Sequence, residues 1–135
     1  MYNIALDTEF KNNQWNFINC KYEDGYLIST DKVFGIEQEL ILPDITKLYF
    51  RILYKAINKE ILNIKIGIQN NDILEINEKL IKDNKNNFIS IIDDAKQEKI
   101  KLHIIFESTI LDNKVEIKEP LLLNLKQLHK ATWVK

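Results

Sequence analysis

The sequence predicts an all-β fold, one two-sheet β-sandwich, and three observations predict it. Apolar and polar residues alternate with period two along most of the chain, the pattern of strands with one buried face. The alternating runs are short and are punctuated by turn chemistry: Glu23-Asp24-Gly25, Pro43-Asp44, Asn70-Asn71-Asp72, Asp83 to Asn87, and Asp112-Asn113. Finally, 135 residues with 45% apolar content suit a single domain with its own core, and three glycines and two prolines are too few for a linker or a collagen-like repeat.

Taken in order, a short run at Tyr26–Ser29 comes first. Ile36, Gln38, Leu40 and Leu42 then oppose Glu37, Glu39 and Ile41. Leu48, Phe50, Ile52, Tyr54 and Ala56 oppose Tyr49, Arg51, Leu53, Lys55 and Ile57. Leu62, Ile64, Ile66 and Ile68 oppose Asn63, Lys65 and Gly67. Another run covers Phe88–Ile92. Ile100, Leu102, Ile104 and Phe106 oppose Lys101, His103 and Ile105, and Val115 and Ile117 oppose Glu116 and Lys118. Two segments carry both periods. Ile73 to Lys82 has helical spacing at Ile73, Ile76 and Leu80, yet also alternates, and its strand neighbours favour a strand. In Leu121 to Trp133, a strand ending near Leu123 followed by a short helix or arm is expected, which divides the chain into a sandwich over 1–123 and an arm over 124–135.

Composition excludes several function classes. The net charge of −1 comes from 19 basic and 20 acidic residues with no basic half, so a general nucleic-acid grip is not expected. Cys20 is the single cysteine, which rules out an intramolecular disulfide and a cysteine-built zinc site. No apolar run approaches the ~18–20 residues of a membrane span, and MYNIALDTEF does not read as a signal peptide. The 23 isoleucines, 15 asparagines and 18 lysines suggest AT-rich codons, so a lysine or asparagine says little about a site. The lone arginine, Arg51, says more.

Catalytic groups are not assembled either. His103 and His129 have no partner signature, and no phosphate loop, dinucleotide fingerprint or Gly-x-Ser-x-Gly forms from three isolated glycines. Asp93-Asp94 resembles a carboxylate pair, but neighbouring strand residues point to opposite faces, so a solvated turn is the plainer reading. The chain is expected to be no enzyme.

The order of segments resembles a family. Glu9-Phe10, Asn13 and Trp15 precede Asp24-Gly25-Tyr26-Leu27; Gly35-Ile36-Glu37-Gln38-Glu39-Leu40-Ile41-Leu42-Pro43 follows, then the long strand to Ile57, and Val115-Glu116-Ile117-Lys118-Glu119-Pro120-Leu121 closes the series. This is similar to the carbohydrate-binding-module-like, or galactose-binding-like, jelly roll. The resemblance implies a two-sheet jelly-roll β-sandwich of about eight or nine strands with a short C-terminal arm or helix. The closing Pro120-Leu121-Leu122-Leu123-Asn124-Leu125, with Leu128, Lys130, Thr132 and Trp133, is similar to the ends of such modules in tailed-phage virion proteins.

From these resemblances the expected function is a non-enzymatic virion structural protein of a tailed phage, decorating the capsid or belonging to the tail or baseplate. It would be made in the host cytoplasm and act by docking on other virion subunits in a multi-copy assembly, with contact to a cell-surface glycan. The alternative is a carbohydrate-binding module of a bacterial cell-surface or glycan-degrading system. For glycan, the candidates are Trp15, Tyr49 and Arg51, with Lys55 beside them and Tyr22 and Tyr26 near the Trp15 end; sugar rings lie on aromatic faces and a guanidinium fork grips polar groups. Trp15 reads equally as core, and Arg51 as a partner for an acid such as Glu39. For partner binding, Leu125, Leu128 and Trp133 are the candidates, either as an anchoring arm or folded back as core. The residues themselves call for no cofactor. The family resemblance implies a structural calcium held by Asp7 or Glu9 with Glu119, although Lys118 stands where the family usually has another acid.

Overall fold

The computed structural model describes residues 3–7, 9–42, 46–56, 61–70, 75–81, 88–95 and 98–125. Among them run ten strands: β1 (Asn16–Ile18), β2 (Cys20–Glu23), β3 (Tyr26–Ser29), β4 (Val33–Ile41), β5 (Thr46–Ala56), β6 (Ile61–Asn70), β7 (Glu75–Ile81), β8 (Phe88–Ala95), β9 (Lys99–Ser108) and β10 (Lys114–Asn124). They form two five-stranded sheets. Sheet 1 has the order β1-β4-β9-β6-β7 and sheet 2 the order β2-β3-β10-β5-β8, with antiparallel neighbours throughout. The fold is the expected all-β jelly-roll sandwich.

Isoleucine-rich alternation makes the strands, because β-branched side chains pack well on a pleated, half-buried surface. Each long strand turns one set inward. Phe34, Ile36 and Leu40 on β4, Ile64, Ile66 and Ile68 on β6, and Ile100, Leu102, Ile104 and Phe106 on β9 line sheet 1. Leu48, Phe50, Ile52 and Tyr54 on β5, and Val115, Ile117 and Leu122 on β10, line sheet 2. Phe34 stacks on Phe106 with ring centres 5.5 Å apart, and Tyr54 meets Phe106 at 6.2 Å.

Several boundaries differ from those read in the sequence. β1 and β2 are additional, too short to alternate visibly and separated at Asn19, whose φ is +52°. The ambiguous Ile73 to Lys82 segment is a strand over Glu75–Ile81. The two closing runs are one strand, β10, continuous from Lys114 to Asn124 but bulged between Lys118 and Leu121. There Glu119 takes φ +53°, a left-handed conformation that supplies the extra residue of the bulge. Asp93 and Asp94 lie in β8 rather than in a turn, because β8 stays paired with β5 as far as Ala95 opposite Thr46.

Three polar clusters tie loops and the N-terminal segment to the strands. Asn113 is buried, donates its backbone N–H to Ser29 Oγ (2.8 Å) and its side-chain amide to Ser108 Oγ (2.8 Å), and so ties the β9–β10 turn to the end of β3. Gln38, also buried, brackets the N-terminal segment: Leu6 N–H donates to its Oε1 (2.9 Å) and its Nε2 donates to the Leu6 carbonyl (2.8 Å). Asn3 does the same at the β10 bulge, donating to the Pro120 carbonyl (2.7 Å) and accepting from Leu122 N–H (2.8 Å).

Candidate functional site

The period-two geometry assigns every outward side chain to one of two faces. Cross-strand partners share a face, so the register fixes the neighbours. On sheet 2, Arg51 lies opposite Ser90 of β8 and Leu121 of β10; Tyr49 lies opposite Ile92 and Leu123; Leu53 lies opposite Phe88 and Lys118. Phe88 is 50% exposed and Ile92 58% exposed on this face. At one end of this face Leu53, Tyr54, Lys55, Glu116 and Lys118 line a cleft of about 410 Å³.

Arg51 stands at the middle of this surface. Its Nε is buried and has no hydrogen-bond partner, and no acid among the described residues pairs with it. The pairing with Glu39 considered above does not occur. The chain crosses between sheets after β4, so Glu39 lies in sheet 1 and pairs with Lys99 at 2.9 Å. That hydrogen bond holds the Glu39 carboxyl below the usual carboxylate range.

Sheet 1 shows the contrasting face. Among its described side chains the outward acids are matched: Glu39 with Lys99, Glu107 with Lys65 (3.3 Å), and Glu37 with Lys101 (4.0 Å). Asn63 also donates to Glu107 (2.8 Å), and with Lys65 it lowers the Glu107 pKa. A cleft of about 430 Å³ lies here, lined by Asn13, Gln14, Trp15, Asn16, Glu37, Glu39 and Lys101. Asn16 already donates to Glu37 (2.9 Å). His103 points to this side but is buried opposite Glu37 and the side-chain-free Gly67.

Trp15 is core. It is 4% exposed, packs on Phe10 at 5.5 Å, and donates its indole N–H to the Asp7 carbonyl (3.0 Å), so its ring face is not open for a sugar. The aromatic group at that end continues from Phe10 to Tyr22 (5.0 Å) and from Tyr22 to Phe17 (6.0 Å); Phe17, not Tyr26, completes it. Tyr26 is on sheet 2 opposite Glu116.

The residues considered for calcium meet other groups. Asp7 accepts backbone N–H bonds from Lys11 (2.7 Å), Asn12 (3.0 Å) and Gln14 (3.4 Å), and Glu9 pairs with Lys11 (3.3 Å). Glu119 is exposed at the bulge, and no group of three His, Cys, Asp or Glu side chains converges among the described residues. Leu125 is half-buried just beyond β10, while Leu128 and Trp133 lie outside the described residues.

Sequence reasoning placed Tyr49 and Arg51 on one outward face but missed Phe88, Ser90, Ile92, Leu121 and Leu123 around them. The register of β8 against β5, two strands apart in the chain, has no local signal.

No protein-family model matches the chain, and no curated protein sequence matches it. Solved structures share its fold. A family 61 carbohydrate-binding module in complex with β-1,4-galactotriose superposes with a TM-score of 0.54 at 10% identity, covering 82% of this chain and 68% of that one. The CBM22-1–GH10 modules of Clostridium thermocellum endo-1,4-β-D-xylanase 10B, complexed with xylohexaose, give a TM-score of 0.60 at 14% identity over 91% of this chain and 28% of that one. The enzymatically active domain of bacteriophage CBA120 tailspike protein 4 gives 0.58 at 13% identity over 89% and 21%. The fold is a carbohydrate-binding-module-like jelly roll. Among the described residues no helix is long and apolar enough to cross a membrane.

Proposed function

We propose that the chain is a non-catalytic glycan-binding module that works through the outward face of sheet 2, with Tyr49 and Arg51 as its principal contacts. The observation that carries this reading is Arg51 itself, half-buried on the outward face of sheet 2 beside Tyr49, with no acid paired to it among the described residues. Tyr49 and Phe88 offer ring faces for the C–H surface of a sugar, and the guanidinium offers a planar fork for its oxygens. The likeness to modules crystallised with galactotriose and xylohexaose supports the same class of ligand.

A second reading is favoured by one further observation. Phe88 and Ile92 are exposed on β8, and half-buried Leu121 and Leu123 share their face across β5, apolar side chains that also suit docking on a protein. With the tailspike-domain likeness, this supports a virion component of a tailed phage, in the capsid or tail, docking on other subunits. A glycan array probed with the full chain separates the two. Signals lost on Tyr49→Ala, with the fold intact by circular dichroism, support the glycan module. Silence across a broad array, with self-association or binding to purified virions through the same face, supports docking instead.

A further inference from the structure

We infer that the ligand of this face is an anionic glycan, one whose sugars carry a carboxylate, and that Arg51 is the group that grips it; the inference rests on the glycan reading above. Three observations point to the charge.

The first is the line of cations on β5. Lys47, Arg51 and Lys55 project outward at four-residue steps, roughly 13 Å apart at ~3.3 Å per strand residue. Lys114 and Lys118 of β10 face the same way. Among the described residues, Lys21 and Glu23 of β2 share this face and pair with each other (3.1 Å), and against the five other cations stand Asp94, opposite Lys47; Glu116, opposite Lys55 and 4.0 Å from Lys118; and Glu119 at the bulge. The surplus is positive in a chain whose net charge is −1.

The second is the contrast with the described side chains of sheet 1, where Lys65, Lys99 and Lys101 each lie within ion-pair distance of an acid, Glu107, Glu39 and Glu37, whereas Arg51 at the middle of sheet 2 has none. Both faces come from one sequence with one lysine-rich bias, so lysine abundance does not explain the difference. An acid opposite a cation is the ordinary stabilising choice on an antiparallel sheet, as at Lys47 and Lys55 of this face, and Arg51 is the cation of β5 that lacks one.

The third is Arg51 itself. Its cross-strand neighbours are Ser90 and Leu121, neither able to neutralise it, and Tyr49 and Leu53 flank it along the strand. A ligand that covers this arginine removes it further from water, and a covered charge needs an opposite charge. A carboxylate matches the guanidinium with two parallel hydrogen bonds, while a sugar hydroxyl leaves the charge uncompensated. Lysine does not reproduce that fork.

The test uses the full chain and three uronate polymers, polygalacturonate, alginate and hyaluronate, each compared with its own carboxyl-reduced, neutral form. The expected result is binding to at least one uronate polymer, at least about tenfold weaker binding to its reduced form, and weakening with added salt, as screening requires. Arg51→Gln should lower uronate affinity roughly 10- to 150-fold, the range for hydrogen bonds to a charged group, and bring the ratio of uronate to reduced polymer to about one. Arg51→Lys should restore part of the affinity. Tyr49→Ala should weaken binding while leaving that ratio unchanged, which separates ring stacking from charge recognition. A reduced polymer bound as tightly as its parent, or a ratio unmoved by Arg51→Gln, overturns the carboxylate and leaves the glycan reading in place. No binding to either form, with a carboxylate-bearing peptide or protein captured through Arg51, overturns both.

Discussion

Replacing Arg51 with methionine should make the protein more stable while removing the anchor of its proposed site. The unpartnered Nε is the reason: a buried donor that has lost water without gaining an acceptor costs about 1–3 kcal/mol. Methionine keeps an unbranched apolar stem of similar reach against Leu121 and removes the donor. Part of the gain is lost, because the exposed end of the guanidinium is still hydrated in the parent. A net stabilisation of about 1 kcal/mol is therefore expected, which for a domain of this size raises Tm by roughly 3–5 °C. Urea denaturation should show a higher midpoint at an unchanged slope, since the exposed area on unfolding hardly changes. A fall of about 1 kcal/mol or more would refute the reasoning, because it would mean that Arg51 holds a structural partner. A gain in stability coupled to a loss of ligand is the signature of a residue kept for binding.

Other perturbations test the frame around the site. A Cβ on Gly35 would sit 2.1 Å from the Ile104 carbonyl oxygen and 2.9 Å from Ile105 Cα, both backbone, so Gly35→Ala must part β4 from β9 and should cost ~3 kcal/mol or more by urea denaturation. Glu119 holds a left-handed conformation that suits glycine, so Glu119→Gly should stabilise by about 0.5–1 kcal/mol; were Glu119 a calcium ligand, the same change would destabilise and EDTA would abolish the difference. Cys20 is half-buried, its thiol donates to the Gly35 carbonyl (3.3 Å), and burial raises its pKa from 9.0 to about 11. The folded state therefore favours the neutral thiol: its contribution is complete below pH 9 and is lost as pH rises towards about 11. Thermal melts should show this alkaline loss reduced in Cys20→Ala, and labelling of the native thiol at pH 8 should be slow. A Cys20→Ala melt with the same alkaline loss as the parent would assign it elsewhere, with Tyr22, whose pKa burial also raises, the first alternative.

The strands were legible because each carries its own evidence. Leu48 to Ala56 alternates over nine residues, and the structure buries Leu48, Phe50, Ile52 and Tyr54 while facing Tyr49, Arg51 and Lys55 outward. Partition between sheets is a different kind of information. Glu39 and Arg51 lie on consecutive strands that a hairpin would make neighbours, yet the chain changes sheets between them, and nothing local in the sequence marks the crossing. The aromatics at the start were ambiguous for a related reason. Trp15 becomes core because Asp7 folds the segment back on itself, accepting three backbone N–H bonds and offering its carbonyl to the indole. Such a loop depends on positive φ at Asp7, Phe10 and Asn13, which no periodicity encodes. The β1 and β2 strands are hidden by the same break at Asn19.

The difference between the two faces allows the site to be tested from inside the protein. Ser90 lies directly opposite Arg51 on β8 and shares its outward face. A glutamate there would place a carboxylate where the external one is proposed to sit, and would give Arg51 the cross-strand acid that Lys47 and Lys55 already have in Asp94 and Glu116. An opposite-charge pair on an antiparallel sheet contributes about 0.2–1 kcal/mol, more where it also satisfies a buried donor. Ser90→Glu should thus raise the unfolding midpoint and suppress uronate binding at least tenfold, since an internal carboxylate competes without the entropy loss of bringing in a ligand. Ser90→Gln matches its size without its charge and should leave most of the binding. Combining Ser90→Glu with Arg51→Met should cancel the added stability, because the glutamate then faces no cation. If Ser90→Glu gains nothing in stability and binds as the parent does, Arg51 is not short of an acid, and the charge argument for this face falls.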